Sequence, residues 1–147
     1  MKILLATDGT TNSKNAAKAL QQFRLGEGDS IHVISVVDVR LPIGVELYGG
    51  AAPHLTEIDR AGADSTNQIV GEAIELLKME FGDAGVAIDG EVLHGSPEAQ
   101  IVEAARAAEA ELIVLGSHAS NRLERLLLGS VSDSVVHHAP CSVLIIR

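Results

Sequence analysis

The chain has 147 residues and a net charge of −9, with 46% hydrophobic but only 2% aromatic residues, which predicts a single domain, 1–147, with an aliphatic core. The acidic excess argues against nucleic acid as a partner. No apolar run reaches the roughly 18 residues of a membrane-spanning helix. The apolar segment at the start is too short for a signal peptide. A single cysteine, Cys141, excludes an internal disulfide and fits the reducing cytoplasm, where we expect the protein.

The first half of the chain alternates apolar runs with amphipathic stretches. Ile3 to Ala6 is typical of a strand covered on both faces, and Ile31 to Val37 predicts a second strand. Between them lies a helix, and a proline- and glycine-rich loop, Arg40 to Pro53, follows. A long helix is predicted next, from about Leu55 to Glu80. We assign its inner face to Ile58, Ala61, Ser65, Ile69, Ala73, Leu76 and Leu77.

The second half contains two clear helix starts. Ser96-Pro97-Glu98 combines a cap, a proline at the first helical position and an acidic first turn. Ser130 looks like the N-cap of the last helix, with Asp133 in a weak capping-box position. The predicted strands are a half-exposed one around Val86 to Val92, a fully buried one at Leu112 to Leu115, and Val143 to Ile146. Strands that alternate with helices predict an α/β fold of three layers around a five-stranded parallel sheet.

The segment that follows the buried strand Leu112 to Leu115 has the parts of an anion site. The chain turns at Gly116 and reaches Gly129-Ser130 at a helix start. Glycine allows close approach of a phosphate to the backbone, and the free N–H groups of a helix start bind it. Spacing alone leaves plain turn chemistry open as the alternative.

This segment resembles the C-terminal signature of the universal stress protein family: a glycine, two residues, a glycine, nine residues, then Gly-Ser. Gly116, Gly129 and Ser130 stand at their places, whereas Ala119 replaces the second glycine of nucleotide-binding members. The similarity extends from ATDGT near the start to HHAPCSVLII at the end. It implies a Rossmann-like open sheet of strand order 3-2-1-4-5 with helices on both faces. The winding then reverses between the first and fourth strands, where such sheets bind ligands.

The resemblance also implies a ligand: ATP, or another adenine nucleotide such as AMP, with Mg²⁺ or Mn²⁺ bound only together with the nucleotide. Asp8 would contact the nucleoside, with a turn or capping role as the alternative. Ala119 would cost roughly 1–2 kcal/mol if its φ is positive. The predicted nucleotide-binding residues are Thr7, Asp8, Val36, Val37, Leu115, Gly116, Ser117, His118, Ala119, Gly129, Ser130 and Val131.

Other chemistry is sparse in this sequence. His137 and His138 are adjacent and point about 100° apart on a helix, and the remaining histidines lack metal-ligand spacing, so we predict no metal site of the protein's own. There is no nucleophile elbow and no Walker lysine motif. We therefore assign no catalytic residue and expect at most slow ATP hydrolysis.

The last predicted strand bears on partners. Val143 to Ile146 would form a sheet edge without proline or charge, which is a template for pairing. The resembled family commonly dimerises through this strand. Together with this resemblance, the sequence implies a homodimeric, nucleotide-binding regulator of the stress response, which a further regulatory protein could read. The alternatives are an interaction module of the same fold without a nucleotide, and a slow ATP hydrolase.

Overall fold

The computed structural model describes residues 1–38, 53–117 and 129–147, with the backbone alone over 53–63. The predicted loop Arg40 to Pro53 lies outside these residues except for Pro53. The strands are β1 (Lys2–Ala6), β2 (Ser30–Val37), β3 (Ala87–His94), β4 (Leu112–Gly116) and β5 (Ser142–Ile146). The α-helices are α1 (Thr11–Ala19), α2 (Pro53–Phe81), α3 (Pro97–Ala107) and α4 (Ser130–His138).

All strand pairs in the sheet are parallel, and the order is β3-β2-β1-β4-β5. This confirms the predicted α/β fold and its strand order. The central strands are apolar on both faces because helices cover both: Leu4, Leu5, Ile113 and Val114 are fully buried. Among the described residues no helix combines the length and apolar character needed to cross a bilayer.

Alternate residues of the strands feed two separate cores. On one face, Leu5, Val33 and Val114 pack against Leu77 of α2 and against Leu20, the residue directly after α1. On the other face, the core contains Leu4, Ile34, Ile113 and Leu115 from the strands, Ile101 and Ala105 from α3, and Val135 from α4. The result is the predicted three-layer arrangement.

The inner face of α2 is only partly as predicted. Ser65 is exposed, so its assignment to the inner face is wrong, while Val70 is buried instead. Val70, Leu77 and Phe81 follow one another at intervals of seven and four residues and face the sheet. The side chains of Ile58 and Ala61 lie outside the described set. Of the other predicted residues, Ile69, Ala73 and Leu76 are half-buried and Leu77 is buried.

The two predicted helix starts differ in outcome. Ser96 is the N-cap of α3 with Pro97 at its first position, as predicted. In α4 the N-cap is Gly129, with φ −64° and ψ 157°, so the prediction that Ser130 caps the helix is wrong by one residue. The carbonyl of Gly129 accepts both the backbone N–H of Asp133 at 2.8 Å and the hydroxyl of Ser132 at 2.9 Å. Since the N-cap is the residue whose carbonyl accepts the first helical bond, Ser130 is the first helical residue.

The two edges of the sheet have opposite character. On β3, Asp89 and Glu91 are exposed and flank His32 of β2, whose Nδ1 lies 2.6 Å from Asp89 Oδ1 and whose Nε2 lies 3.1 Å from Glu91 Oε1. On β5, Val143 to Ile146 are half-buried apolar residues without any charge among them. The apolar strand predicted to form a sheet edge therefore does so.

Candidate functional site

A cleft of about 320 Å³ opens at the carboxyl ends of β1, β2 and β4. The winding of the sheet reverses between β1 and β4, and the cleft lies at that crevice, where open parallel sheets bind ligands. The first turns of α3 and α4 complete its wall. Its lining residues are Ala6, Thr7, Asp8, Ser13, Ile34, Ser35, Val36, Pro97, Ile101, Leu115, Gly116, Gly129, Ser130, Val131 and Ser132.

Most of the predicted binding residues come together in this cleft. Those that line it are Thr7, Asp8, Val36, Leu115, Gly116, Gly129, Ser130 and Val131. Val37 and Ser117 do not line it, and His118 and Ala119 lie outside the described residues. Two sequence segments from opposite ends of the chain thus share one cavity.

The two residues beside the cleft are held by the sheet. The carbonyl of Val37 accepts the N–H of Gly95 at 3.0 Å, so it continues the pairing of β2 with β3. The N–H of Ser117 donates to the carbonyl of Ile146 at 2.7 Å, and its own carbonyl accepts the side-chain amide of Asn12. Both residues therefore shape the rim of the cleft through the backbone.

The turn between β1 and α1 is built around Asp8. Its Oδ1 accepts the backbone N–H of Thr10 at 3.0 Å and the hydroxyl of Thr10 at 2.6 Å. The turn role that the sequence left open for Asp8 is therefore present. Gly9 has φ +76°, and a Cβ there would lie 2.9 Å from two side-chain atoms of Ile69 on α2. Glycine at this position therefore lets the turn lie close to α2, and the exposed Asp8 lines the cleft.

Gly116 is needed for packing between β4 and α1. A Cβ at this position would lie 2.5 Å from the carbonyl carbon of Asn12 and 2.6 Å from the backbone nitrogen of Ser13. No side chain fits there, because the backbone of the first turn of α1 occupies the space. The sequence predicted close approach to the backbone at Gly116, and the atoms that approach belong to the protein itself.

Three lining residues that the sequence analysis missed carry hydroxyl groups: Ser13, Ser35 and Ser132. Ser13 lies on α1 and accepts the hydroxyl of Thr7 at 3.1 Å. Ser35 interrupts the apolar run of β2, which was the one available signal in the sequence. A polar residue at the end of a fully covered strand has to face another polar group or an opening.

The electrostatics of the cleft are set by few groups. Among the described lining residues, Asp8 has the only charged side chain, and the first N–H groups of α4 supply positive partial charge opposite it. Outside the cleft, burial raises the pKa of the Cys141 thiol. No group of three or more His, Cys, Asp or Glu with metal-binding geometry occurs among the described residues.

The sequence of the whole chain, 1–147, matches the model of the universal stress protein family. Universal stress protein MJ0531 of Methanocaldococcus jannaschii is 34% identical over 99% of this chain and 81% of its own length. Universal stress protein Sll1388 of Synechocystis sp. is 33% identical over 99% of this chain and 97% of its own length.

Solved structures show the same architecture. Universal stress protein UspA from Lactobacillus plantarum has a TM-score of 0.77 at 26% identity and covers 100% of this chain and 97% of its own. A universal stress protein in complex with cAMP has a TM-score of 0.66 at 21% identity over 100% and 97% of the two chains. A family protein from Arabidopsis thaliana with AMP bound has a TM-score of 0.60 at 16% identity over 99% and 90%. The last two comparisons show a common fold.

Proposed function

The chain belongs to the universal stress protein family, and from that premise we propose that it is a regulatory protein that binds an adenine nucleotide in the cleft. The observation that carries the proposal is the meeting of the β1–α1 turn with the first turn of α4 around one cavity. A volume of about 320 Å³ is within the usual range for small-molecule sites. Bound nucleotide would act as the signal that a second protein reads.

The first turn of α4 is the proposed phosphate-binding side. Its leading N–H groups have no helical partner and face an anion with the positive end of the helix. Ser130 is exposed and does not cap the helix, so its hydroxyl is available to a phosphate oxygen. The residues that we expect around the phosphates are Leu115, Gly116, Ser117, His118, Ala119, Gly129, Ser130 and Val131.

The nucleoside side is proposed at β1 and β2. Ile34, Val36, Pro97 and Ile101 form an apolar wall suited to a flat base. The carboxylate of Asp8 would accept hydrogen bonds from a ribose hydroxyl or a base amino group and would repel phosphates. That polarity favours a nucleotide whose sugar lies near β1 and whose phosphates lie near α4.

The preferred ligand in this proposal is ATP, with AMP or another adenine nucleotide as the variant and Mg²⁺ or Mn²⁺ arriving with the phosphates. Relatives of the same fold have been solved with cAMP and with AMP, which supports the nucleotide class. Slow hydrolysis at most is proposed, because the described lining residues provide a carboxylate but no histidine or lysine. We place the protein in the cytoplasm, where the Cys141 thiol stays reduced.

The nucleotide can be sought in the purified protein itself. Mass spectrometry of small molecules released by denaturation should detect an adenine nucleotide, and calorimetric titration with ATP and Mg²⁺ should then show saturable heat. Gly129→Val should abolish that heat by placing a branched side chain in the cleft. Gly71→Val is the matched control, since nothing lies within 4 Å of a Cβ at Gly71 on α2.

Two experimental outcomes would refute the proposed function and favour one of its alternatives. Absence of binding at millimolar ATP, AMP and cAMP would favour an interaction module of the same fold. Turnover above about one per second, the low end for ordinary enzymes, would favour a hydrolase.

Dimerisation through β5 is proposed on separate grounds. The half-buried apolar edge Val143 to Ile146 would be covered by the same edge of a second copy. Light scattering should then give twice the chain mass of 15.4 kDa for the wild type. The Ile146→Lys variant should give the mass of a monomer. Met79→Lys, at a position 89% exposed, is the control; a monomeric wild-type protein would contradict this assembly.

A further inference from the structure

The two segments that form the cleft are joined by a side chain that does not line it. Asn12 lies in the first turn of α1, and its side-chain amide donates a hydrogen bond to the carbonyl of Ser117, which follows β4 and is 105 residues away in the sequence. The donor has to be the amide nitrogen, because a carbonyl oxygen can only accept. The bond therefore ties the first turn of α1 to the point where the chain leaves β4.

The point where the chain leaves β4, Gly116 and Ser117, is here called the β4 exit. The N–H of Ser117 donates to the carbonyl of Ile146 on β5 at 2.7 Å, and Ser117 is 5% exposed. Gly116 lines the cleft, and the backbone of Asn12 occupies the space that a Cβ of Gly116 would need. The peptide group before Ser117 is thus held by β5, and the peptide group after it is held by Asn12.

The residue type at position 12 fits a requirement for a hydrogen-bond donor. Negatively charged side chains are favoured in the first turn of a helix, because they face the positive end of its dipole. The first turn of α1 nevertheless contains no acidic residue. A carboxylate at position 12 would have only acceptor oxygens to set against the Ser117 carbonyl, whereas an amide has N–H groups to donate. The contact with Ser117 explains an asparagine where the helix alone would favour an acid.

We propose that Asn12 is a positioning residue of the nucleotide site, which holds the Ser117 carbonyl and so keeps the β4 exit in the orientation that receives the phosphate-bearing side of the ligand. The proposal rests on the function proposed above, in which Gly116 and Ser117 lie near the phosphates. Asn12 does not line the cleft, so its effect on a ligand passes through the β4 exit. Without the bond, the β4 exit would adopt further orientations, and the affinity would fall with the fraction of molecules that remains competent to bind.

The test is Asn12→Ala, with Asn15→Ala as the matched control. Asn15 lies on the same helix and does not line the cleft, so each change removes one amide from α1. Calorimetric titration well below the unfolding temperature should show that Asn12→Ala binds ATP and AMP about 2- to 12-fold more weakly, which is the range set by one net hydrogen bond. Adenosine, which has no phosphate, should lose less affinity. Asn15→Ala should bind all three ligands as the wild type does.

A second measurement reports on the β4 exit without any ligand. Amide hydrogen exchange at Ser117 should be faster in Asn12→Ala than in the wild type, because the bond to Ile146 then holds the β4 exit without help from α1. The N–H of Gly95, which donates to the carbonyl of Val37 at the end of β2, is the internal control. Its exchange should be the same in both proteins.

Every other outcome refutes a definite part of the proposal. If the wild type binds ATP and Asn12→Ala binds it equally tightly, the positioning role is refuted while the proposed function stands, and a lower unfolding temperature would then make Asn12 purely structural. If adenosine loses as much affinity as ATP, the assignment to the phosphate-bearing side is refuted. Unchanged exchange at Ser117 would refute the route through the β4 exit. If the wild type binds none of the three ligands, the proposed function itself fails and this inference falls with it.

Discussion

Replacement of Gly116 by alanine is expected to destabilise the protein, although it adds a single methyl group. The new Cβ would lie 2.5 Å from the Asn12 carbonyl carbon and 2.6 Å from the Ser13 nitrogen. Both atoms belong to the backbone of α1, so no side chain can rotate away and the helix or β4 has to shift. Overpacking of this kind costs about 1–3 kcal/mol, which corresponds to a fall of roughly 2–12 °C in unfolding temperature at this chain length.

The same substitution at Gly71 provides a control of opposite sign. Nothing lies within 4 Å of a Cβ at this position in α2, and glycine-to-alanine changes inside a helix stabilise by about 0.5–1 kcal/mol. Urea unfolding followed by circular dichroism measures both variants, and equal m-values would show that the denatured states are comparable. A Gly116→Ala protein as stable as the wild type would refute the packing argument.

Three further predictions concern stability alone. Burial lowers the pKa of His32, but hydrogen bonds to Asp89 and Glu91 outweigh it and raise the pKa above its usual 6.5. The stabilisation from these bonds is complete below that value and is lost as pH rises through the raised pKa. Urea unfolding across pH 5.5–8.5 should therefore show a fall in the free energy of unfolding with rising pH (about 1 kcal/mol in all), and His32→Gln should flatten this slope. Leu77→Ala should cost about 2–5 kcal/mol in the same assay because Leu77 is 0% exposed in the core, and a cost below about 1 kcal/mol would mean that the site collapses. Glu109 has φ 52° and pairs with Lys2 at an exposed site. Glu109→Gly and Glu109→Ala lose the ion pair equally, so the glycine variant should be more stable than the alanine variant by about 1 kcal/mol. Equal stabilities of the two variants would show that the backbone at this position is unstrained.

Local chemistry made several parts of the fold predictable. Ser96, Pro97 and Glu98 combine three features of a helix start, and the apolar run Leu112 to Leu115 is buried as its composition predicts. The strand order could not come from such patterns, because pairing between distant strands depends on how helices cover the sheet. It followed from the resemblance to a family.

The candidate site was predictable as two segments but not as a set of contacts. Ser130 was taken as the cap because serine favours that position, yet the extended Gly129 supplies the carbonyl that begins α4. Glycine is required at position 116 because the backbone of α1 lies so close to it. A local sequence pattern cannot predict this contact between distant segments. Ser35 stood out in the sequence only as a polar residue in a strand, and its place at the cleft depends on how β2 lies beside β1 in the sheet.

The contrast between the two sheet edges would limit the proposed assembly to a small number of copies. If two copies pair along Val143 to Ile146, as proposed above, neither copy is left with that apolar strand free. The outer strands of such a pair would be β3, where Asp89 and Glu91 project with 81% and 54% of their side chains exposed. Like charges facing each other across a new strand contact oppose its formation. Growth would therefore stop at two copies, and crowding the protein in solution should not draw it into ribbons or fibres.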